Sequence, residues 1–223
     1  MDGAAFGVSL KLAIMTSLLL LPLGLWLGRH LAQMRSRWRA LPEALVALPL
    51  VMPPTVLGFY LMLSFSREAP FGAAWQSLTG GSLNFTFSGI LLASLVVNLP
   101  FAVQPIQRAF EALPAHLREA AWCSGLSTWQ TLWRIELPLV RPGLISAFAL
   151  TFAHTLGEFG VILMVGGAID GETRTLAISI YDHVQAFDET AASTMSAMLL
   201  AVSFVTIGIV YGLAGRHRWQ GRG

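Results

Sequence analysis

The stretch EALPAHLREAAWCSGLSTWQTLWRIELPLVRP, residues 111–142, is the most patterned part of the chain. Within it Glu119-Ala120-Ala121 is followed by three residues and Gly125, then by nine residues and Ile135-Glu136-Leu137-Pro138. Leu113, Leu117, Ala120 and Ala121 recur at helical spacing and predict one apolar face. Gly125 breaks that helix where any other residue would resist positive φ. Ser127 or Thr128 is placed to cap a second short helix. Trp129, Leu132 and Trp133 predict an apolar stripe along it, and Pro138 is expected to end the run. A helix–glycine–helix module of this kind is a compact docking knob; the competing structure is an interfacial amphipathic hairpin anchored by its tryptophans.

Outward from this stretch the chain is apolar. A bilayer span needs about 20 largely apolar residues, and five segments meet that length: residues 8–28, 41–65, 87–107, 143–165 and 192–215. Of the 223 residues, 55% are hydrophobic and 12% charged, and mean hydropathy is +0.64. Ordinary soluble domains carry roughly 25% charged residues, and a soluble core cannot absorb this much apolar sequence with so few charges to cover it. A soluble enzyme, a disordered chain and a typical nucleic-acid binder are thereby excluded. The single cysteine, Cys123, permits no internal disulfide and no Cys-based metal cluster. The first apolar run is expected to be a retained helix. It opens Met1-Asp2-Gly3 without positive charge and exceeds the about 7–15 apolar residues of a cleaved signal peptide.

Eleven of the 14 basic residues fall into three groups: Arg29, Arg35, Arg37 and Arg39; Arg108, Arg118, Arg134 and Arg141; Arg216, Arg218 and Arg222. Lys11, Arg67 and Arg174 are the remainder. Cytoplasmic loops are enriched in Lys and Arg, so the N-terminus is expected outside and the C-terminus in the cytoplasm. The pI near 9.1 and net charge of +2 then reflect topology rather than nucleic acid. The expectation is an all-α, polytopic membrane protein: a single transmembrane domain over 1–223, with about five helices and a cytoplasmic loop at about 108–142.

The spacing EAA-x3-G-x9-I-x-L-P resembles the coupling loop of membrane permeases of ATP-binding-cassette importers. LPLVMPPTVLG (residues 48–58), LGEFG (156–160) and GETRT (171–175), the last followed by Ile178 and Tyr181, look like segments of molybdate permeases. Sulfate permeases share the EFG and GET features in weaker form, and tungstate is nearly the same size as molybdate. The resemblance implies a type I importer permease of the bacterial inner membrane, working as a homodimer. It also implies two copies of a cassette ATPase and a periplasmic or extracellular molybdate-binding protein. Glu119, Ala120, Ala121, Gly125, Trp129, Trp133, Ile135, Leu137 and Pro138 would then couple to the ATPase. No G-x-x-x-x-G-K-[ST] phosphate loop occurs. Hydrolysis is therefore expected in the separate ATPase, which would use ATP and Mg, while this chain binds no cofactor.

Glu158 is expected inside the fourth span. An ionisable group at that depth costs about 2.5–3.5 kcal/mol and faces protein or water by default. His154, four residues earlier, is expected on the same helix face and able to pair with it. Pro49, Pro53 and Pro54 remove backbone donors from the second span and predict a kink or break beside Gly58, lining a pore or merely packing. Asn98, Pro100, Gln104 and Pro105 predict a polar, interrupted face on the third span. Pro53, Pro54, Asn98, His154 and Glu158 are thus the candidates for a translocation path or gate; for Glu158 the alternative is a helix-to-helix hydrogen-bonding anchor. Gly208 and Gly212 form a GxxxG pattern that predicts close helix packing. Leu176, Ile180, Tyr181 and Val184 predict a short amphipathic helix over the outer mouth. Arg174 and Tyr181 are candidate contacts for the binding protein, with Asp170 or Glu172 as alternative partners of Arg174. No catalytic residue and no metal-ligand set is expected. A proton-coupled secondary transporter using Glu158, or an intramembrane enzyme using His154 and Glu158, would leave the 111–142 pattern unexplained.

Overall fold

The computed structural model describes residues 2–219, and among these all regular structure is helical. Helix α1 (Gly3–Gln33) is capped by Asp2, whose carboxylate accepts the Ala5 N–H at 2.9 Å. A 3₁₀ turn (Arg37–Arg39) leads into α2 (Ala40–Val51) and α3 (Pro54–Ser64). Then come α4 (Pro70–Thr79), α5 (Phe87–Glu111), α6 (Ala115–Cys123) and α7 (Thr128–Thr131). A π-helical segment (Leu132–Glu136) joins α7 to α8 (Leu137–Gly157), followed by α9 (Gly160–Gly166), α10 (Leu176–Gln185) and α11 (Glu189–Trp219).

The centre of the bundle is the triple contact of α1, α5 and α8. Helices α1 and α5 run parallel and close: a Cβ on Gly28 would lie 3.0 Å from the Gln107 amide nitrogen. At one end, Val8 and Leu12 of α1 pack with Ile90, Ile162 and Ile178. At the other, Ile106 and Phe110 of α5 pack with Leu132, Val140 and Ala147.

Four helices among the described residues are long and apolar enough to cross a bilayer: Gly3–Gln33, Phe87–Glu111, Thr128–Gly157 and Glu189–Ile209. The expected second span is not one helix. Its arms, α2 and α3, meet at 109°, and each 11–12-residue arm reaches only about 16–18 Å. Pro54 lacks the N–H that would continue the ladder, and Met52, forced extended before Pro53 (φ −73°, ψ 137°), cannot stay helical. The pair nevertheless traverses the bundle. Arg39 is ion-paired with Glu111 at the C-terminal end of α5, whereas Asn84, just ahead of α5, donates to the Met62 carbonyl at 3.0 Å. Counted as one broken span, the pair brings the candidate crossings among the described residues to five.

Three further expectations are corrected. The fourth span begins earlier and ends earlier than 143–165: α7, the π segment and α8 form one continuous helix, Thr128–Gly157, that stops before Glu158. Pro138 does not end the run, because the Leu137 N–H bonds five residues back to Leu132 and this wider turn accommodates the proline. The third span is not interrupted at Pro100 or Pro105, since α5 runs through both. A Cβ at Gly208 or Gly212 would meet nothing within 4 Å, so the expected close packing is not seen among the described residues. Arg222 lies outside the described residues, as do the side chains of Arg216 and Arg218.

Candidate functional site

Helix α5 presents Ser94 and Asn98 one turn apart, both fully buried. Helix α8 brings His154, and the chain turns out of helix at Glu158 (φ −70°, ψ 125°). Glu158 is only 7% exposed. Its Oε2 accepts from Ser94 Oγ at 3.3 Å and from Asn98 Nδ2 at 3.2 Å, while Asn98 Nδ2 also reaches the Ser94 carbonyl at 2.9 Å. The Asn98 Oδ1 is left to accept, and His154 Nδ1 lies 3.0 Å from it, which makes that nitrogen the protonated one. The expected direct His154–Glu158 pair is therefore replaced by a relay through Asn98. The reason is the early end of α8, which takes Glu158 off the helical face that His154 occupies. The His154 ring stacks on Phe101, with centroids 4.2 Å apart.

Glu158 Oε1 has no hydrogen-bond partner among the described residues. The Glu158 side chain lines a cavity of about 640 Å³ shared with Pro49, Met52, Pro54, His154 and Gly160. The two chain breaks, at Met52–Pro53 and Glu158–Phe159, thus face one space. Of the gate candidates, Pro54, His154 and Glu158 line it directly, Asn98 stands behind Glu158, and Pro53 sets the bend. No Lys or Arg is among its lining residues. Ser94 and Phe101 were missed from sequence; the four-residue spacing of Ser94 and Asn98 on an otherwise apolar helix is the signal that points to the first.

The second constellation is the 111–142 module. α6 ends as expected at Gly125, where φ is +81°. The Gly125 N–H bonds to the Trp122 carbonyl (2.9 Å) and the Leu126 N–H to Ala121 (3.1 Å), a Schellman closure. Ser127, not Thr128, caps α7: its Oγ accepts the Gln130 N–H and its own N–H donates to Gln130 Oε1. Glu119 and Ala120 are exposed and Ala121 is buried. Leu132 leaves the expected stripe and packs into the core with Phe110 and Val140. Trp129 and Trp133 remain exposed in an edge-on pair, 5.5 Å between centroids, beside Trp26, Arg29 and His30 of α1. Ile135 and Leu137 are half-buried and Pro138 is exposed.

At the opposite end Arg174 is engaged with three carboxylates: Asp170 at 2.8 Å, Asp182 at 2.9 Å and Asp2 at 4.0 Å. The hydrogen bond it donates to Asp170 and the charges of Asp182, Asp170 and Asp2 push its pKa above the ordinary arginine value despite some burial. The Ala5 N–H in turn holds the Asp2 carboxyl below the usual carboxylate range. Arg174 is thus a brace joining the chain start to α10 rather than a free charge. Tyr181, 43% exposed, packs its ring on Phe159 at 4.9 Å, next to Glu158.

The fold is shared with solved transporters. An ABC transporter for import of the acidic polysaccharide alginate superposes with a TM-score of 0.76 at 17% identity, covering 96% of this chain and 78% of that one. The MetNI methionine ABC transporter gives 0.74 at 18%, covering 95% and 94%. In sequence, the molybdenum transport system permease protein ModB of Azotobacter vinelandii is 45% identical over 94% of this chain and 93% of its own length. The Escherichia coli K12 protein of the same name is 32% identical (93% and 91% covered), and the E. coli K12 sulfate transport system permease protein CysT is also 32% identical (96% and 76% covered). Residues 20–219 match the profile described as binding-protein-dependent transport system inner membrane component. The architecture is that of a type I importer permease, and the chain belongs to the family of binding-protein-dependent transport system inner membrane components.

Proposed function

We propose that this chain is the transmembrane permease subunit of an ATP-driven importer of molybdate. The observation that carries the substrate is the 45% identity to the A. vinelandii molybdenum permease across nearly the full length of both chains. The sulfate permease, at 32%, is the second reading, because it is as similar as the E. coli molybdenum permease.

Energetics set what such a subunit must supply. Burying a bare ion in a medium of low dielectric costs on the order of 20 kcal/mol. Drawing two negative charges inward against ~100 mV adds roughly 4.6 kcal/mol. A polar path and an external energy source are both required. A path between two copies of the chain, related by a two-fold axis, is the economical arrangement for so small a bundle. Two cassette ATPases, using ATP and Mg, supply the energy; this chain binds no cofactor. The arginine-rich end carrying α6 and α7 faces the cytoplasm by the positive-inside rule, and the N-terminus faces out.

In this reading the ATPase grips α6 through Glu119, Ala120 and Ala121, and Gly125 fixes the angle to α7. Trp129, Trp133, Ile135, Leu137 and Pro138 complete the coupling surface. Pro53, Pro54, Asn98, His154 and Glu158 form the gate, where Ser94 and Asn98 hold one oxygen of the carboxylate. The binding protein docks over α10 near Tyr181, with Arg174 bracing that surface. ATP binding closes the ATPases and opens the outer mouth.

The test is elemental uptake in cells lacking the gene, with and without its restoration, at trace molybdate and excess sulfate. Gene-dependent molybdenum accumulation that survives sulfate and vanishes with the ATPase inactivated supports the proposal. Loss of the signal under sulfate moves the chain to the sulfate class. Accumulation without any ATPase favours the proton-coupled alternative. At the docking module, Gly125→Val forces a β-branched residue into a left-handed conformation at a cost of about 1–3 kcal/mol. ATPase co-purification should fall while membrane insertion is kept; undiminished co-purification counts against the coupling role.

A further inference from the structure

Glu136 occupies the x of the I-x-L-P motif, in the π segment at the foot of α8, and is 1% exposed. Its Oε2 lies 2.7 Å from Arg29 Nε and its Oε1 lies 2.6 Å from Arg118 Nε. Arg29 belongs to α1 and Arg118 to α6, one residue before Glu119. Three helical segments, one of them 107 positions away in sequence, therefore meet on one carboxylate. Helix α6 has few other attachments to the bundle: Ala121 is its buried residue, and its extensive neighbour is the short α7. Arg118 also reaches back to the Phe110 carbonyl at 3.4 Å.

Stability gives little reason for such a group. A buried ion triad is often replaced by apolar residues with no loss of stability. What a carboxylate between two guanidinium groups adds is position: Arg29 Nε donates a directional, charge-assisted hydrogen bond to Oε2, while Arg118 closes on Oε1 as an ion pair without hydrogen-bond geometry. We propose that Glu136 is a positioning residue of the transport cycle, locking the docking helix α6 to both α1 and the foot of α8 so that the three move as one body. The inference rests on the coupling role given to α6 and α7 above.

The test uses the complete transporter, permease with ATPase and binding protein, in proteoliposomes. Molybdate uptake and ATP hydrolysis are measured in the same vesicles. In E136Q the uptake per ATP hydrolysed should fall about tenfold, a size typical of the coupling between two linked sites, with the KM for ATP unchanged. E136D should recover most of the ratio. R118A removes one of the two ion pairs that E136Q removes, so it should lower the ratio by no more than E136Q does, and the double variant should lose no more than E136Q alone. A wild-type ratio in E136Q, or losses that multiply in the double variant, overturns the inference. Should E136Q fail to assemble, R118M removes the charge while keeping an unbranched apolar stem, and a wild-type ratio there overturns the inference equally. Wild-type vesicles with no ATP-driven uptake overturn the importer reading and this inference together; a coupled wild type with a coupled E136Q overturns this inference alone.

Discussion

The chain interrupts two of its apolar segments, by different means. At Met52–Pro53 the cause is covalent: two consecutive proline rings supply no N–H, and the arms part at 109°. At Glu158–Phe159 there is no proline. Glu158 leaves the helix and its carboxylate is held by Ser94 and Asn98 of a helix 60 residues away. The two breaks are seated on each other, with a Cβ on Gly160 lying 3.0 Å from Pro54 Cβ. The first break persists whatever surrounds it. The second exists through its partners, so it is the one that rearranges when they move. A bend fixed by covalent structure and a bend held by side-chain partners thus face one cavity, as the proposed gate would need.

The comparison can be broken most forcefully at Gly58, where α3 rests on α9. A Cβ there already lies 2.8 Å from Met164 Cβ and 3.1 Å from Val161 Cα. Gly58→Leu should part the two helices at a cost of about 1–3 kcal/mol or more, abolish uptake and lower the thermal midpoint of the purified transporter. Retained uptake would mean that the seating is dispensable. Next in size, Glu158→Ala strands the Ser94 and Asn98 donors, at about 1–3 kcal/mol. Glu158→Gln still accepts from them and should lose less, so equal midpoints for the two variants would show that the carboxylate does not hold the break. The smallest effect is expected from Pro53→Ala, because Pro54 remains. Spin labels at Leu45 and Tyr60, with Cys123 replaced by Ser, should report an unchanged distance in that variant and a longer one only when both prolines are removed. A straightened pair after the single substitution would contradict the covalent account.

These two breaks also mark where sequence reasoning stops. The apolar runs, the Gly125 turn, the Ser127 cap and the bend before Pro54 follow from local chemistry and are legible residue by residue. The Glu158 break is not, because LGEFG reads as helix until Ser94 and Asn98 are in place. Glu136 is the clearest case. It sits inside the most patterned stretch of the chain as its variable position, while Arg29 and Arg118 read only as topology charges. Periodicity tells which face of a helix is apolar. It does not tell which arginine, 107 positions away, will close on a buried carboxylate.

The unbroken helix from Thr128 to Gly157 has a mechanical consequence. Its 30 residues make a rod about 45 Å long, with the tryptophan pair at its foot and Glu158 just past its tip. Pivoting such a rod at its foot by about 5° carries its tip through roughly 4 Å. In the proposed importer, a small tilt imposed at the foot would be returned as a large stroke beside Glu158, the long arm of a lever already built into the chain.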